Sequence, residues 1–328
     1  MKLLVELCVL LRRAIPGCSF GASFKRIRVL LYSLIYPRAA SVWLRALIQD
    51  PLLREIALRN RRFIERPFHR IIDADLNTRE RALIAREHFR AVRALFGDAV
   101  ARQIYLRAES VTLARSDPYA LVVREPTRCW REGFLTVAWR DERARVDLAW
   151  ATVSFERDAP TGGLTMRVGG LQGPAGDERE FVRQATRACH GLRPKAAVME
   201  AVCALCRLLH VQALRGVANK RHVSWAAALE FRADYDAFWQ ELGGVESDGW
   251  FSLPLWPRHR NVDDVPSHKR AAFRRRQGLI ADVIGQVERR DGFKSVDATL
   301  ASHIGAVDCM NSNFDGRRQG DVAVDVQV

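Results

Sequence analysis

The feature that most constrains this chain's fold is a change of hydrophobic period near Val111. Before it, apolar residues recur at helical spacing. After it, Tyr119–Arg124, Phe134–Arg140, Val146–Glu156 and Leu164–Leu171 read as strands, with Asp141-Glu142 and Thr161-Gly162-Gly163 as turns. Connections this short cannot cross over a sheet, so the runs predict an antiparallel meander. Trp139 and Trp150 are expected to supply large apolar area to one face of it. A helical piece from Asp177 to His210 follows, broken at Gly191 and restarted by Pro194, whose missing N–H suits a first helical turn. Gln212–Ala218 then reads as a buried strand, parallel to its predecessor through a right-handed crossover. The expected class is α+β: a mixed, mostly antiparallel sheet flanked by helices.

Residues 51–106 read as helical throughout. The clearest piece runs from Thr78 to Phe96, capped by Asn77 or Thr78, striped by Leu83, Ile84, Phe89, Val92 and Leu95, and closed by Gly97. His69 and His88 read there as surface or packing residues. In residues 1–48, the apolar stretches Leu3–Leu11 and Val29–Tyr36 alternate with Lys25, Arg26, Arg28 and Arg38. Such a segment either packs on the main domain with its arginines outward or lies on an anionic membrane face. Glu6, Arg12 and Arg13 interrupt what would otherwise resemble an export signal. No apolar run reaches the ~18 residues a spanning helix needs. The expectation is a cytoplasmic chain, peripheral on the inner membrane if the amino-terminal segment binds lipid.

At the other end, Ser267–Val287 predicts an amphipathic helix bearing Lys269, Arg270, Arg274, Arg275 and Arg276. That patch could dock an acyl carrier protein, lipid headgroups or nucleic acid, or simply be a solvated face; nucleic acid has the least support, because no binding motif accompanies the charge. Beyond Asp291 the sequence is polar and aperiodic, and a loosely ordered tail is expected. The division expected is a helical region over 1–110, an α/β domain with its basic helix over 111–290, and a tail over 291–328.

Charge points the same way. Lys and Arg total 52 against 38 Asp and Glu, a net charge of +14. That balance favours acidic partners such as phosphorylated cofactors, carrier proteins and anionic lipid, although high arginine content also follows from a GC-rich genome. The odd set Cys8, Cys18, Cys129, Cys189, Cys203, Cys206 and Cys309 argues for reduced thiols. Cys203, Cys206 and His210 have a spacing a metal could use, but Met199 continues the stripe and core packing is the better reading. No metal is expected.

Candidate chemistry gathers between Gly169 and Trp225. A helix starting at Arg193-Pro194-Lys195 directs free N–H groups and two cations outward, Gly191 permits close backbone approach, and His190 adds a titratable group. The alternative is that Gly191 merely ends a helix and the cations are solvated, although first-turn cations oppose the helix dipole. His222, just beyond the strand, is the first candidate for a general base and His190 the second. Asn219 either orients a ligand amide or caps the next segment. Lys220 and Arg221 are expected to extend the positive surface. Cys189 beside His190 invites a covalent mechanism, but a cysteine closing a helix is usually buried.

Two resemblances follow from these motifs. GGLQG, ATRACHGLRPK, VANKRHV, YDAFWQELGG and KRAAFRRR, in that order over most of residues 50–290, resemble the VirK/YbjX domain family of proteobacteria. The resemblance implies a link to virulence and to resistance against membrane-active antimicrobial peptides, and carries no catalytic residues with it. The order of elements is similar to that of the GNAT-superfamily acyltransferases. That implies Leu164–Leu171 as central strand, Pro194–His210 as cofactor helix, Leu214–Ala218 as next strand, Tyr235–Leu242 as later helix and Gly249–Leu255 as final strand. The implied function is direct acyl transfer from an acyl-CoA or acyl-carrier-protein thioester to an amine or hydroxyl. Gly191, Arg193 and Lys195 would hold the donor, and backbone N–H groups near Gly169 and Gly170 would stabilise the oxyanion. The chain departs from the superfamily's Q/R-x-x-G-x-G/A turn, with Ala188 three residues before Gly191 and Arg193 at the second glycine. Trp239 stands where a proton-donating tyrosine often lies, with Tyr235 one turn earlier. The competing expectation is a non-catalytic, membrane-associated factor that binds anionic lipid or a protein partner.

Overall fold

A computed structural model describes residues 2–127, 129–158, 161–225, 234–257 and 261–289. The expected tail, 291–328, lies outside the described residues. Six helices come first: α1 (Lys2–Ala14), α2 (Phe20–Ile35), α3 (Pro37–Gln49), α4 (Pro51–Arg59), α5 (Arg61–Glu65) and α6 (Thr78–Leu106). Local chemistry sets their starts. Asp50 accepts hydrogen bonds from the N–H groups of Leu52 and Leu53 ahead of α4, and Asn77 forms a reciprocal capping box with Glu80 ahead of α6. Gly97 ends the first helical run of α6, as the sequence suggested. It adopts φ 78° and kinks the helix, which resumes and reaches Leu106, because the residues beyond it, Ala101, Ile104 and Tyr105, still have core to bury against.

Among the described residues eight strands form one sheet in the order β1-β2-β3-β4-β5-β6-β8-β7. They are β1 (Val111–Ser116), β2 (Tyr119–Arg124), β3 (Leu135–Asp141), β4 (Val146–Arg157), β5 (Leu164–Gln172), β6 (Ala213–Val217), β7 (Val245–Ser247) and β8 (Trp250–Leu253). The first five make the expected meander, extended by β1, which the period change announced without resolving. Between β5 and β6 the chain passes through α7 (Arg179–Ala188) and α8 (Pro194–Leu208), so that these two strands run parallel. α9 (Tyr235–Glu241) leads to the β7–β8 hairpin, and α10 (Ser267–Glu288) closes the described chain. This is the mixed α+β order the sequence predicted.

Register decides what faces where. Trp139 pairs with Ala149, whereas Trp150 pairs with Ala138, one position out of phase. The two tryptophans therefore lie on opposite faces rather than sharing one. Trp139 joins the main core, while Trp150 packs on a small separate cluster of Ala120, Val122 and Ala138. The main core runs without a break from Leu7 of α1 to Val287 of α10. Within it Cys203 and Cys206 are buried, Cys206 against Met166, so their stripe is packing. His88 is also a packing residue. Its Nδ1 accepts the Phe155 N–H, which leaves Nε2 to donate to the Tyr105 hydroxyl 2.9 Å away, and that hydroxyl donates to the Phe134 carbonyl.

Candidate functional site

The parallel pair β5/β6 is short. Thr165–Val168 pair with Ala213–Gly216, and beyond that the strands part, β5 continuing to Gln172 and β6 to Val217. Carboxyl ends of adjacent parallel strands that diverge are the usual place for a ligand in an open sheet. Here the gap receives the loop before β3. A side chain on Gly169 would run into the Glu132 carbonyl, and one on Gly170 into the Glu132 carboxylate. The two glycines thus make room for Glu132 rather than lining an empty oxyanion pocket.

Glu132 is buried, and its carboxylate organises the site. Oε1 accepts from Gln172 Nε2 at 2.6 Å and lies 3.4 Å from Nε2 of the buried His222. Oε2 has no hydrogen-bond partner among the described residues. His222 Nδ1 accepts the Ser224 N–H at 3.2 Å, so in the neutral ring the proton sits on Nε2, toward Glu132. The Tyr235 ring lies 5.2 Å from the His222 ring. Burial first, then the Glu132 charge, push the Tyr235 phenol up, so that it holds its proton beside Leu171 and Gln172. The Cys129 thiol, next to Glu132 and Trp150, is pushed up to about 11, chiefly by burial. A second buried carboxylate adjoins the first. Asp73 Oδ2 accepts from Trp250 Nε1 at 2.8 Å and lies 2.8 Å from Nε of Arg221, the residue before His222. Arg221 therefore turns inward and does not extend the surface charge; Lys220 pairs with Glu246 at 2.8 Å.

The structure brings four of the sequence candidates together here: Gly169, Gly170, His222 and Tyr235. Asn219 belongs to the same corner, accepting the Tyr235 N–H at 2.9 Å and giving its own N–H to Asp236, so it fixes the start of α9. His190, Gly191, Arg193 and Lys195 form a different corner. His190 (φ 53°) and Gly191 (φ 86°) make the left-handed turn between α7 and α8, with His190 exposed. Arg193 is ion-paired with Glu241 of α9, and Lys195 lies 5.9 Å over the Phe238 ring, its pKa lowered by burial. The anion that these first-turn cations called for is, for Arg193, a carboxylate of the chain itself. Glu241 also lines an apolar cleft of about 290 Å³ between α8, α9 and β8, walled by Met199, Cys203, Leu214, Leu242 and Leu253. Trp239 is buried over Gly216 and donates to the Val217 carbonyl, anchoring α9. Cys189 is buried and its thiol pushed up to about 11, which removes it as a nucleophile near neutral pH. Among the described residues no group of His, Cys, Asp and Glu is placed to hold a metal.

Sequence reasoning missed Glu132 and Asp73. Neither lies in a motif; each is 90 or more residues from its partner, and only the glycine pair Gly169-Gly170 hinted that something approaches β5 closely.

The family model described as "Protein of unknown function (DUF535)" matches residues 20–289. The chain belongs to this family. It is 29% identical over 279 residues to the uncharacterized protein YbjX of Escherichia coli K12, covering 81% of this chain and 83% of that one. It is also 35% identical over 125 residues to an uncharacterized protein of Haemophilus influenzae, covering 37% of this chain and 42% of the relative. No solved structure matches. The family match spans α2 to α10, and so includes both corners described above.

Proposed function

We propose that this DUF535 member is an acyltransferase of GNAT-like architecture that moves an acyl group directly from a CoA or carrier-protein thioester to an amine or hydroxyl. The observation that carries the reading is the parting of β5 and β6 beyond Val168 and Gly216, with Glu132, His222 and Tyr235 gathered at that point. The donor lies along the apolar α8–α9 cleft with its phosphates toward Arg193 and Lys195. The acceptor N–H or O–H gives its proton to Glu132 Oε2, the carboxylate atom with no competing bond, while His222 and Gln172 hold Oε1. The acceptor atom bonds to the acyl carbon, the C–S bond breaks, and the departing thiolate takes the Tyr235 proton. Burial keeps the phenol protonated until the thiolate departs. A proton returning from Glu132 to Tyr235 completes the cycle.

Thermal denaturation with CoA and a panel of acyl thioesters tests this. A donor at about 100 times its Kd stabilises the native chain by about 2.7 kcal/mol. Glu132→Gln is expected to keep that shift and lose transfer. If no thioester shifts the transition, the reading fails.

A second reading rests on α2. Phe20, Phe24, Ile27, Leu31 and Leu34 follow one another at helical spacing and are all exposed, Phe20 at 88% and Leu34 at 77%. α2 carries Lys25, Arg26 and Arg28 and no acidic residue. An exposed apolar stripe beside cations suits the surface of an anionic membrane, giving peripheral attachment. Among the described residues no helix is long and apolar enough to cross a membrane. Flotation with phosphatidylglycerol vesicles checks it: the chain should float, and Phe20→Glu with Leu34→Glu should abolish flotation.

A further inference from the structure

The second face of the meander holds a cleft of about 350 Å³ that neither corner above uses. Trp150 forms one wall of it and packs on Ala120, Val122 and Ala138, which are buried apart from the main core. Around it stand three arginines: Arg124 from the end of β2, Arg140 from β3, and Arg145 from the β3–β4 turn. Thr127 and the buried Thr136 add hydroxyls.

Charge in the cleft is unbalanced toward the positive. Its acidic residues are Asp147 and Glu178, against the three guanidinium groups. Arg124 Nη2 lies 2.6 Å from Asp147 Oδ2, and Arg140 reaches the same carboxylate only at 3.8 Å. Arg124 Nε is buried without a hydrogen-bond acceptor among the described residues, and Arg145 has no ion pair among them. Arg145 sits at φ 59°, and its carbonyl accepts from Arg140 Nη2 at 3.4 Å. The turn thus brings Arg145 next to Arg140. A planar guanidinium offers parallel N–H donors that match the oxygens of a phosphate, and several of them around one small concavity select a multiply charged tetrahedral group over a single carboxylate. The volume fits one small molecule or one headgroup rather than a polymer.

We propose that this cleft binds a phosphate ester, held by Arg124, Arg140 and Arg145, with the body of the ligand against Trp150. The site has a direct neighbour. Cys129 lines the cleft and adjoins Glu132, and Trp150 pairs across β4–β5 with Gln172, which donates to that same carboxylate. Taken with the acyl-transfer reading, on which this extension alone rests, the phosphate ester is the acceptor, its nucleophile toward Glu132. Binding itself stands without that reading.

Calorimetric titration of the full chain with inorganic pyrophosphate, glycerol 3-phosphate and uridine 5′-monophosphate tests the proposal. At least one probe is expected to bind saturably, with affinity lowered tenfold or more in the Arg140→Gln, Arg145→Gln double variant and unchanged in Arg193→Gln, Lys195→Gln. Both altered residues of the first pair lie at the rim, and an unchanged thermal transition verifies their fold. Binding of glycerol 3-phosphate without uridine 5′-monophosphate identifies a headgroup-type ester, and the nucleotide alone a nucleotide-type one; either, if lost in the rim variant, supports the cleft. Absence of saturable binding by all three probes, or binding lost in the α8 variant and retained in the rim variant, overturns the proposal. The second of those outcomes would leave the thioester reading standing, so the two fail separately.

Discussion

Replacing Asp73 should cost more stability than almost any other polar substitution in this protein. The carboxylate is fully buried. It accepts the Trp250 indole N–H at 2.8 Å and the Asp75 N–H at 2.7 Å, and pairs with Arg221 at 2.8 Å. Removing one partner of a buried ion pair typically costs about 3–5 kcal/mol, because the other charge is left without compensation. Two features place Asp73→Ala at the low end. The Arg221 side chain retains 21% exposure, and it can fall back on Asp75, 3.4 Å away. The expected loss is about 3 kcal/mol. Asp73→Asn keeps one acceptor oxygen for an N–H donor and should cost about half as much. Arg221→Ala leaves Asp73 with two N–H donors and should cost about 1–2 kcal/mol. Urea denaturation of the three variants and of the double variant Asp73→Ala, Arg221→Ala measures the coupling, expected at about 1 kcal/mol or more. Additive losses, or a cost below about 1 kcal/mol for Asp73→Ala, would show that the pair does not hold the 71–75 loop against β8 as argued.

Three further outcomes are expected. Burial, helped by Arg66, holds the His88 pKa well below its ordinary 6.5, so the folded chain resists protonating it. A depressed folded-state pKa gives stability that is present above about 6.5 and lost as pH falls below it, by up to about 1.4 kcal/mol per unit; melting temperature followed from pH 7.5 to 5 should show that slope, reduced in His88→Gln. A methyl group on Gly216 would overlap the Trp239 indole, so Gly216→Ala should lose about 1–3 kcal/mol in urea unfolding, partly restored when Trp239 is also cut to Leu. With its thiol pushed up to about 11, Cys129 should alkylate slowly at pH 7.5 in the native chain, with a rate still climbing at pH 10; fast modification at neutral pH would contradict the burial described.

Much of the fold was legible because its signals are local. The apolar run Tyr119–Arg124 matches β2 at both ends, Pro194 starts α8, and the Asp234 side chain caps α9 one residue before Tyr235. Where the reading went astray, the deciding cause lay elsewhere in the molecule. Trp139 and Trp150 separate because a bulge between Trp139 and Arg140 alters the β3–β4 register, and a one-residue shift exchanges faces.

The site divides the same way. Sequence alone established that His222 follows a buried strand, that Gly169 and Gly170 lie on the central strand, and that α8 begins with two cations. It could not say that the approaching group is Glu132, that Arg221 points inward to Asp73, or that Glu241 answers Arg193. Helical and strand periods couple residues two to four positions apart and so are written along the chain. Pairings such as Glu132 with His222 exist only once β5 and β6 part and a loop from another strand folds into the gap. Element identity was therefore fixed by local chemistry, and the site was decided by how those elements pack.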